Sequence, residues 1–281
     1  MHSLAKLDHP EICSLLLQPP RDFRGICPVN AEDLRLTLGE GVLLSCRFYL
    51  SAPEAPTIIY FHGGKESSDS FDSEAISFNQ VGINVLLASQ RGFGMSTGTP
   101  SLATLIADAG LQFSKAIEWL AAKDYGGAIV VMGRSLGSVC AIDVVLNNPD
   151  RIKAMILESA FSETLPLLKT IGAEKAAAEI SEDEGFDNLR KIAGIKVPTI
   201  IFHGSRDVLI PIPQAEKLQA VSGAKNKQFL IIPGAEHHSV SKTGGNLYFK
   251  TIKGFVDTVC GVNTWRQRRR KFKADEDGGN S

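Results

Sequence analysis

The chain has 281 residues, a length that suits one α/β domain with a large buried core. Its formal net charge of −1 and its 22% of charged residues give no reason to expect a nucleic-acid or acidic-membrane partner. The five cysteines are widely spread and lack a C-x-x-C spacing, which argues against a disulfide framework or a zinc site and favours a reducing compartment. No apolar run approaches the roughly 18 residues of a membrane span, and no signal-peptide pattern precedes the first elements. We therefore expect a cytoplasmic protein without stable membrane insertion.

The first part of the chain, residues 1–32, contains four prolines, and we expect it to be irregular. Two runs at 34–38 and 43–50 predict an antiparallel hairpin across Gly39-Glu40-Gly41. Further along, apolar strand patterns alternate with helical patterns up to residue 262, which predicts a mostly parallel sheet covered by helices on both faces. The strands predicted after the hairpin are 57–61, 84–88, 129–132, 154–158, 198–202 and 227–232. The helices predicted among them are 76–81, 102–122, the stretch from 136 to 147, 214–221 and 247–260.

Two segments depart from this alternation. Residues 161–192 are polar and helix-prone, particularly at 173–180, and are interpreted as a short cap insertion. The tail, residues 263–281, has a basic run followed by an acidic one and shows no amphipathic pattern. We expect this tail to be solvated and disordered rather than to bind nucleic acid.

The stretch with the strongest chemical signal begins at the apolar strand 129–132. It continues as Gly133-Arg134-Ser135-Leu136-Gly137 and passes directly into a helical pattern. Strand, G-x-S-x-G and helix in succession indicate a nucleophile elbow, in which glycines allow strand and helix to approach around a strained serine. Ser135 is therefore the candidate nucleophile, and the start of the helix directs backbone N–H groups at any anion that forms there.

A serine hydroxyl needs a base, a group that orients the base, and donors for an oxyanion. Candidates follow later strands in the chain order serine, acid, histidine: Asp207 after the strand 198–202 and His237 after the strand 227–232. Glu158, at the end of an earlier strand, is an alternative acid, and His238 is an alternative base. Backbone donors are expected from Leu136 and from the loop after residue 61.

Several motifs together resemble the α/β-hydrolase superfamily, and within it the serine aminopeptidase-like and Bem46-like hydrolases. The matching stretches are Phe61-His-Gly-Gly64, Arg91-Gly-Phe-Gly-Met-Ser-Thr-Gly98, Gly133-Arg-Ser-Leu-Gly137, Leu157-Glu-Ser159, His203-Gly-Ser-Arg-Asp-Val-Leu-Ile-Pro211 and Gly234-Ala-Glu-His237. The resemblance covers residues 33–260 and implies the α/β-hydrolase fold. It favours Asp207 as the acid and His237 as the base. It also implies Gly64 as the second oxyanion donor, with Gly63 as the alternative. One departure is His238, where these hydrolases often carry Asn.

The implied activity is hydrolysis of a carboxylic ester or a related acyl bond through an acyl-enzyme, with a small-molecule acyl substrate and without a metal or cofactor. Two alternatives remain: a protein or lipid thioesterase of the depalmitoylase type, and a non-catalytic binding module with the same fold. The short cap predicts an open site for small-to-medium esters. Its apolar residues, lining an acyl pocket or packing the cap, are Phe161, Leu165, Leu167, Leu168 and Ile171.

Overall fold

The computed structural model describes residues 4–20, 26–66 and 68–262, and the charged tail predicted at 263–281 lies outside them. One eight-stranded sheet organises these residues. Its strands are β1 (Ala31–Thr37), β2 (Leu43–Tyr49), β3 (Thr57–Phe61), β4 (Asn84–Ala88), β5 (Ile129–Arg134), β6 (Ala154–Glu158), β7 (Thr199–Gly204) and β8 (Lys227–Ile232). The α-helices are α1 (Pro10–Leu16), α2 (Ser68–Gln80), α3 (Leu102–Ala122), α4 (Gly137–Asn147), α5 (Thr164–Thr170), α6 (Asn188–Gly194), α7 (Ile212–Val221) and α8 (Val240–Val259).

The strand order across the sheet is β1-β2-β4-β3-β5-β6-β7-β8. β1 pairs with β2, and β2 with β4, in antiparallel fashion, which confirms the predicted hairpin. Each remaining neighbouring pair is parallel. Because the carboxyl ends of the parallel strands meet at one edge, side chains that follow β3, β5, β6, β7 and β8 can come together there.

Alternating strand residues pack into two cores, one on each face of the sheet. Val131 on β5 faces the core formed with α1 and α3 to α7, whereas Val130 and Met132 face the core formed with α2 and α8. This follows from the two-residue period of a strand. The continuous apolar runs seen in the sequence are thus strands covered on both faces, as predicted.

The first 32 residues contain a helix, so the expectation of an irregular segment was wrong for α1. Leu7 and Ile12 are fully buried against the main core. Asp8 Oδ1 accepts hydrogen bonds from the first backbone N–H groups of α3, those of Leu102 (2.6 Å) and Ala103 (3.2 Å). A seven-residue helix is too short to be stable alone, so these tertiary contacts stabilise it and its own sequence pattern is weak.

Between β6 and β7 lies the segment predicted as a cap. It contains α5, a short 3₁₀ turn at Glu182–Glu184 and the beginning of α6. Residues 173–180, expected to be helix-prone, form successive turns instead. Helix α5 ends before Gly172, which has a φ of +81°, and the alanine-rich stretch beyond it is too short for propensity alone to form a helix.

Two predicted helices begin earlier than their sequence patterns indicate. Helix α2 begins at Ser68, and α8 begins at Val240 rather than at residue 247. Gly245 interrupts α8 with φ 50° and ψ −143°, a backbone conformation that glycine tolerates without strain. The apolar periodicity of α8 resumes only after this break, which explains the late predicted start.

Because Ile12 is fully buried, replacing it with alanine should lower the free energy of unfolding by about 2–5 kcal/mol. Leu111→Ala is the matched control, since Leu111 lies on the exposed side of α3 and should change stability by about 0.5 kcal/mol or less. Chemical denaturation followed by circular dichroism measures both. Equal stabilities for the two variants would contradict the docked position of the N-terminal segment.

Candidate active site

The turn between β5 and α4 holds Ser135 in a left-handed conformation, with φ 52°. Such a conformation is strained for a residue with a side chain, and here the surroundings impose it. A Cβ on Gly137 would lie 2.1 Å from the carbonyl oxygen of Phe61, and a Cβ on Gly133 would lie 2.5 Å from that of Gly137. The Ser135 N–H donates to the carbonyl oxygen of Glu158 on β6 (2.9 Å). The sharp turn therefore requires both glycines and lifts the Ser135 side chain above the sheet edge.

Ser135, His237 and Asp207 form one hydrogen-bonded chain. His237 Nε2 lies 2.8 Å from Ser135 Oγ, and His237 Nδ1 lies 2.8 Å from Asp207 Oδ2. The other carboxylate oxygen of Asp207 accepts hydrogen bonds from the backbone N–H groups of Leu209 (3.1 Å) and Ile210 (2.8 Å). The carboxylate is thus fixed in a buried position, with one oxygen directed at the imidazole.

Neighbouring residues hold the two loops that carry the acid and the histidine. Ser159, with φ 48°, donates its hydroxyl to the carbonyl oxygen of His237 (3.1 Å). His203 Nε2 lies 2.7 Å from the carbonyl oxygen of Ile210. The ring of His238 stands at 83° to that of His237, with 4.6 Å between their centroids, and is exposed. The two adjacent rings therefore diverge, and the ring that meets both Ser135 and Asp207 belongs to His237.

The backbone N–H groups expected to bind an oxyanion belong to Leu136 and to the loop after β3. Leu136 immediately precedes α4, and the first N–H groups of a helix have no acceptor within the helix. Gly64 lines the same cavity as Ser135 and Leu136. The N–H of Gly63 is already engaged, because it donates to Glu66 Oε2 at 2.8 Å. Of the two predicted glycine donors, Gly64 is thus the better placed.

The cavity at Ser135 is small, about 40 Å³ in volume. Its walls come from α1, from α5 with its following residue, and from the loop after Asp207. The apolar residues that line it are Leu15, Leu16, Leu136, Leu167, Ile171 and Leu209. Helix α1 contributes to the site in a way that the sequence did not indicate.

A buried guanidinium, that of Arg134, lies directly behind the serine. It forms ion pairs with Glu158 (2.6 Å), Glu66 (3.0 Å) and Glu74 (2.5 Å). Tyr248 donates its hydroxyl to the second oxygen of Glu158. Glu158, the alternative acid, is thus occupied by Arg134 and Tyr248, and the structure does not bring it to His237. The sequence offered one signal for this cluster, a charged residue at the end of each of two adjacent buried strands.

Three carboxylates surround the Arg134 guanidinium. The pKa values of two of them, Glu74 and Glu66, are shifted in opposite directions. Burial, together with the neighbouring charge of Glu158, raises the pKa of Glu74 to about 7 against the attraction of Arg134. Burial opposes ionisation of Glu66 too, but Arg134 and the N–H of Gly63 lower the pKa of that carboxyl overall. For Arg134, burial acts against the charged form, yet the surrounding glutamates hold its pKa well above the ordinary value.

A second, larger cavity of about 730 Å³ opens between α2 and the first turn of α8. Lys65 and His238 line both this cavity and the small one at Ser135. Several charged side chains line it, among them Glu66, Glu74 and Arg134. The two cavities are therefore neighbours that differ in size and in the number of charged side chains that line them, with Lys65 and His238 between them.

No group of three histidine, cysteine, aspartate or glutamate side chains is arranged to hold a metal ion within residues 4–20, 26–66 and 68–262. In the same part of the chain, no helix combines the length and apolar character that crossing a membrane requires.

The strand order, together with the strand–elbow–helix unit, defines an α/β hydrolase. A family model described as "Serine aminopeptidase, S33" matches residues 52–182. Bem46 of Schizosaccharomyces pombe is 30% identical over 249 residues, which span 84% of this chain and 79% of that protein. The α/β-hydrolase domain-containing protein WAV2 of Arabidopsis thaliana is also 30% identical, over 80% of this chain and 78% of its own. Among solved structures, the Pyrococcus furiosus esterase Pf2001 has a TM-score of 0.69 and 21% identity, covering 86% of this chain and 99% of the esterase.

The chain belongs to the Bem46-like family of α/β hydrolases. Membership in this family supports hydrolase activity.

The raised pKa of Glu74 predicts a pH-dependent effect of Glu74→Gln. The folded protein retains the Glu74 proton up to about pH 7, whereas an unfolded glutamate releases it near 4.5. The contribution of Glu74 to the free energy of unfolding is thus fully present below pH 4.5 and is lost as the pH rises through 7. Since glutamine cannot ionise, Glu74→Gln should gain stability over the wild type between pH 5 and pH 8, by about 1–3 kcal/mol at pH 8.

Urea denaturation at the two pH values measures this difference. Glu118→Gln is the control, because Glu118 is exposed on α3, and its effect should stay within about 0.5 kcal/mol at either pH. If Glu74→Gln were the less stable protein at pH 8, the ionised form of Glu74 would be the one that the fold favours.

Proposed function

We propose that this protein is a serine hydrolase that cleaves a carboxylic ester, or a related acyl bond, of a small-molecule substrate. Ser135 is the nucleophile, His237 the general base and acid, and Asp207 the residue that orients the imidazole. The observation that carries the proposal is the unbroken hydrogen-bond chain from Ser135 Oγ through both nitrogens of His237 to Asp207. Serine catalysis requires this connectivity on any fold.

In the first half of the reaction, His237 Nε2 accepts the Ser135 proton as the hydroxyl oxygen attacks the carbonyl carbon. The imidazolium that forms lies against the Asp207 carboxylate, which offsets its charge and fixes the tautomer. The N–H groups of Leu136 and Gly64 donate to the oxyanion of the tetrahedral intermediate. His237 then returns the proton to the leaving group, and Ser135 remains acylated.

In the second half, water takes the place of the leaving group. His237 accepts a proton from the water as it attacks the acyl carbon, and later returns it to Ser135 Oγ. His237 is buried apart from its edge at the cavity, so the proton passes between groups already in hydrogen-bond range. The same residues therefore serve both half-reactions without a change in the fold.

Of the two alternatives, a long-chain thioesterase is not favoured by the small cavity at Ser135. A binding module without turnover would not require Ser135 to be held in a left-handed conformation within range of His237. Reaction with a mechanism-based probe separates an enzyme from such a module.

The first prediction from this proposal is that a fluorophosphonate probe labels the wild-type protein and that Ser135→Ala abolishes the labelling. The same variant should lower turnover of p-nitrophenyl acetate by about 10⁴–10⁶-fold, because no other group can form the acyl-enzyme. Ser114→Ala on α3 is the control and should label like the wild type. Labelling that persists in Ser135→Ala would refute the assignment of the nucleophile.

The second prediction uses the two adjacent histidines as a matched pair. His237→Ala removes the group in contact with both Ser135 and Asp207 and should lower kcat by about 10⁴-fold or more. His238→Ala removes an exposed neighbouring ring and should retain kcat within about tenfold of the wild type. Steady-state kinetics with p-nitrophenyl acetate compares the two variants. A larger loss of kcat in His238→Ala than in His237→Ala would show that His238, not His237, is the base.

A further inference from the structure

The cavity at Ser135 leaves little space for the acyl part of a substrate. Its volume, about 40 Å³, is less than half that of a neighbouring apolar cavity, about 100 Å³, and a small fraction of that of the larger cavity, about 730 Å³. An acetyl group adds one methyl carbon to the carbonyl and needs the least apolar space. An octanoyl chain adds seven carbons and needs far more.

On one side, the apolar wall is supplied by the end of α1 and is held firmly. The Gln18 N–H donates to the carbonyl oxygen of Gly64 (2.7 Å), and a Cβ on Gly64 would lie only 1.8 Å from the carbonyl oxygen of Leu16. Only glycine therefore fits at position 64, and moving the end of α1 away would break its hydrogen bond to Gly64, the expected oxyanion donor. Before the start of α1, Asp8 accepts hydrogen bonds from the first backbone N–H groups of α3 and so holds that end of the N-terminal segment.

On the opposite side, the wall is thin. Leu167 on α5 and Leu209 line the catalytic cavity and also a second, mainly apolar cavity of about 100 Å³. Phe161, Ile210 and Pro211 line this second cavity but not the first. The side chains of Leu167 and Leu209 thus separate two apolar spaces that together would accommodate a longer chain. Leu209 also donates its N–H to Asp207, so Leu167 is the partition residue with no tie to the catalytic chain.

We propose that this enzyme acts on esters of short acyl chains, acetyl to propionyl, and that Leu167 sets the upper limit of chain length. The inference rests on the proposed function of Ser135. The leaving group is not restricted in the same way, because the larger cavity with its charged side chains lies beyond Lys65 and His238. The ring of His238 contacts that of His237, which protonates the leaving group. Short acyl groups on larger, polar alcohols are therefore the substrate class that this geometry accommodates.

The test compares kcat/KM for p-nitrophenyl acetate, butyrate and octanoate in the wild type, Leu167→Ala and Leu165→Ala. In the wild type, acetate should exceed octanoate by about 100-fold or more, because several methylene groups find no cavity. Leu167→Ala joins the two apolar spaces and should reduce this ratio at least tenfold by raising the rate with octanoate. Leu165→Ala, a truncation on the same helix at a residue that lines neither cavity, should keep the wild-type ratio.

The possible outcomes distinguish a failure of the chain-length proposal from a failure of the proposed serine hydrolase function. Equal rates with acetate and octanoate in the wild type would overturn the chain-length proposal while leaving the hydrolase in place. An unchanged ratio in a Leu167→Ala protein with wild-type circular dichroism would overturn the role of Leu167. Should Leu167→Ala fail to fold, Leu167→Phe provides the opposite test, since a larger partition should lower the rate with butyrate relative to acetate. Wild-type protein that hydrolyses none of the esters and resists the fluorophosphonate probe would refute the serine hydrolase itself.

Discussion

The geometry behind Ser135 depends on the ion pairs of the buried Arg134 guanidinium. The Arg134 side chain extends from the last residue of β5 and meets Glu158 at the end of β6, Glu74 on α2 and Glu66 in the loop after β3. Glu66 in turn accepts the N–H of Gly63, so one guanidinium links the turn at Ser135 to the loop of the expected oxyanion donor. A charge buried this deeply is tolerated only with ion-pair partners around it, and leaving it without them would cost several kcal/mol, about 3–5.

This cluster contains more negative than positive charge, and the excess falls on Glu74. Glu158 accepts hydrogen bonds from Tyr248 as well as Arg134, and Glu66 accepts one from a backbone N–H, whereas the carboxylate of Glu74 meets Arg134 beside the larger cavity. Protonation of Glu74 near neutral pH relieves the repulsion among the three carboxylates. The ion pairs of Arg134 with Glu158 and Glu66 can therefore stay in place while Glu74, which lines the larger cavity, gains or loses its charge.

Much of the fold and of the candidate site could be predicted from the sequence because both depend on local patterns. Buried parallel strands are continuous apolar runs, and a glycine-flanked serine between strand and helix is a short-range signal. Asp207 and His237 follow β7 and β8, and parallel strands place their carboxyl ends at one edge of the sheet. The strand order β5-β6-β7-β8 then brings their loops beside that of Ser135.

What the sequence did not predict depends on contacts between distant residues. Helix α1 has only seven residues and lies among prolines, and it is held through Asp8, Gln18 and Leu16 by partners on α3 and in the loop after β3. The cluster at Arg134 depends on the register that sets it opposite Glu158, which no local pattern gives. The break of α8 at Gly245 and the turns at 173–180 likewise reflect tertiary packing over propensity.

The attachment of α1 also has a consequence for the order of assembly. The helix is synthesised before the sheet, but the backbone N–H that Asp8 binds belongs to a residue 94 positions later. Closing so long a loop is entropically costly until the sheet and α3 exist to receive the segment. The wall formed by Leu15 and Leu16 thus joins a cavity whose other lining residues come from later in the chain. Without the docked segment, the cavity at Ser135 would be open on that side.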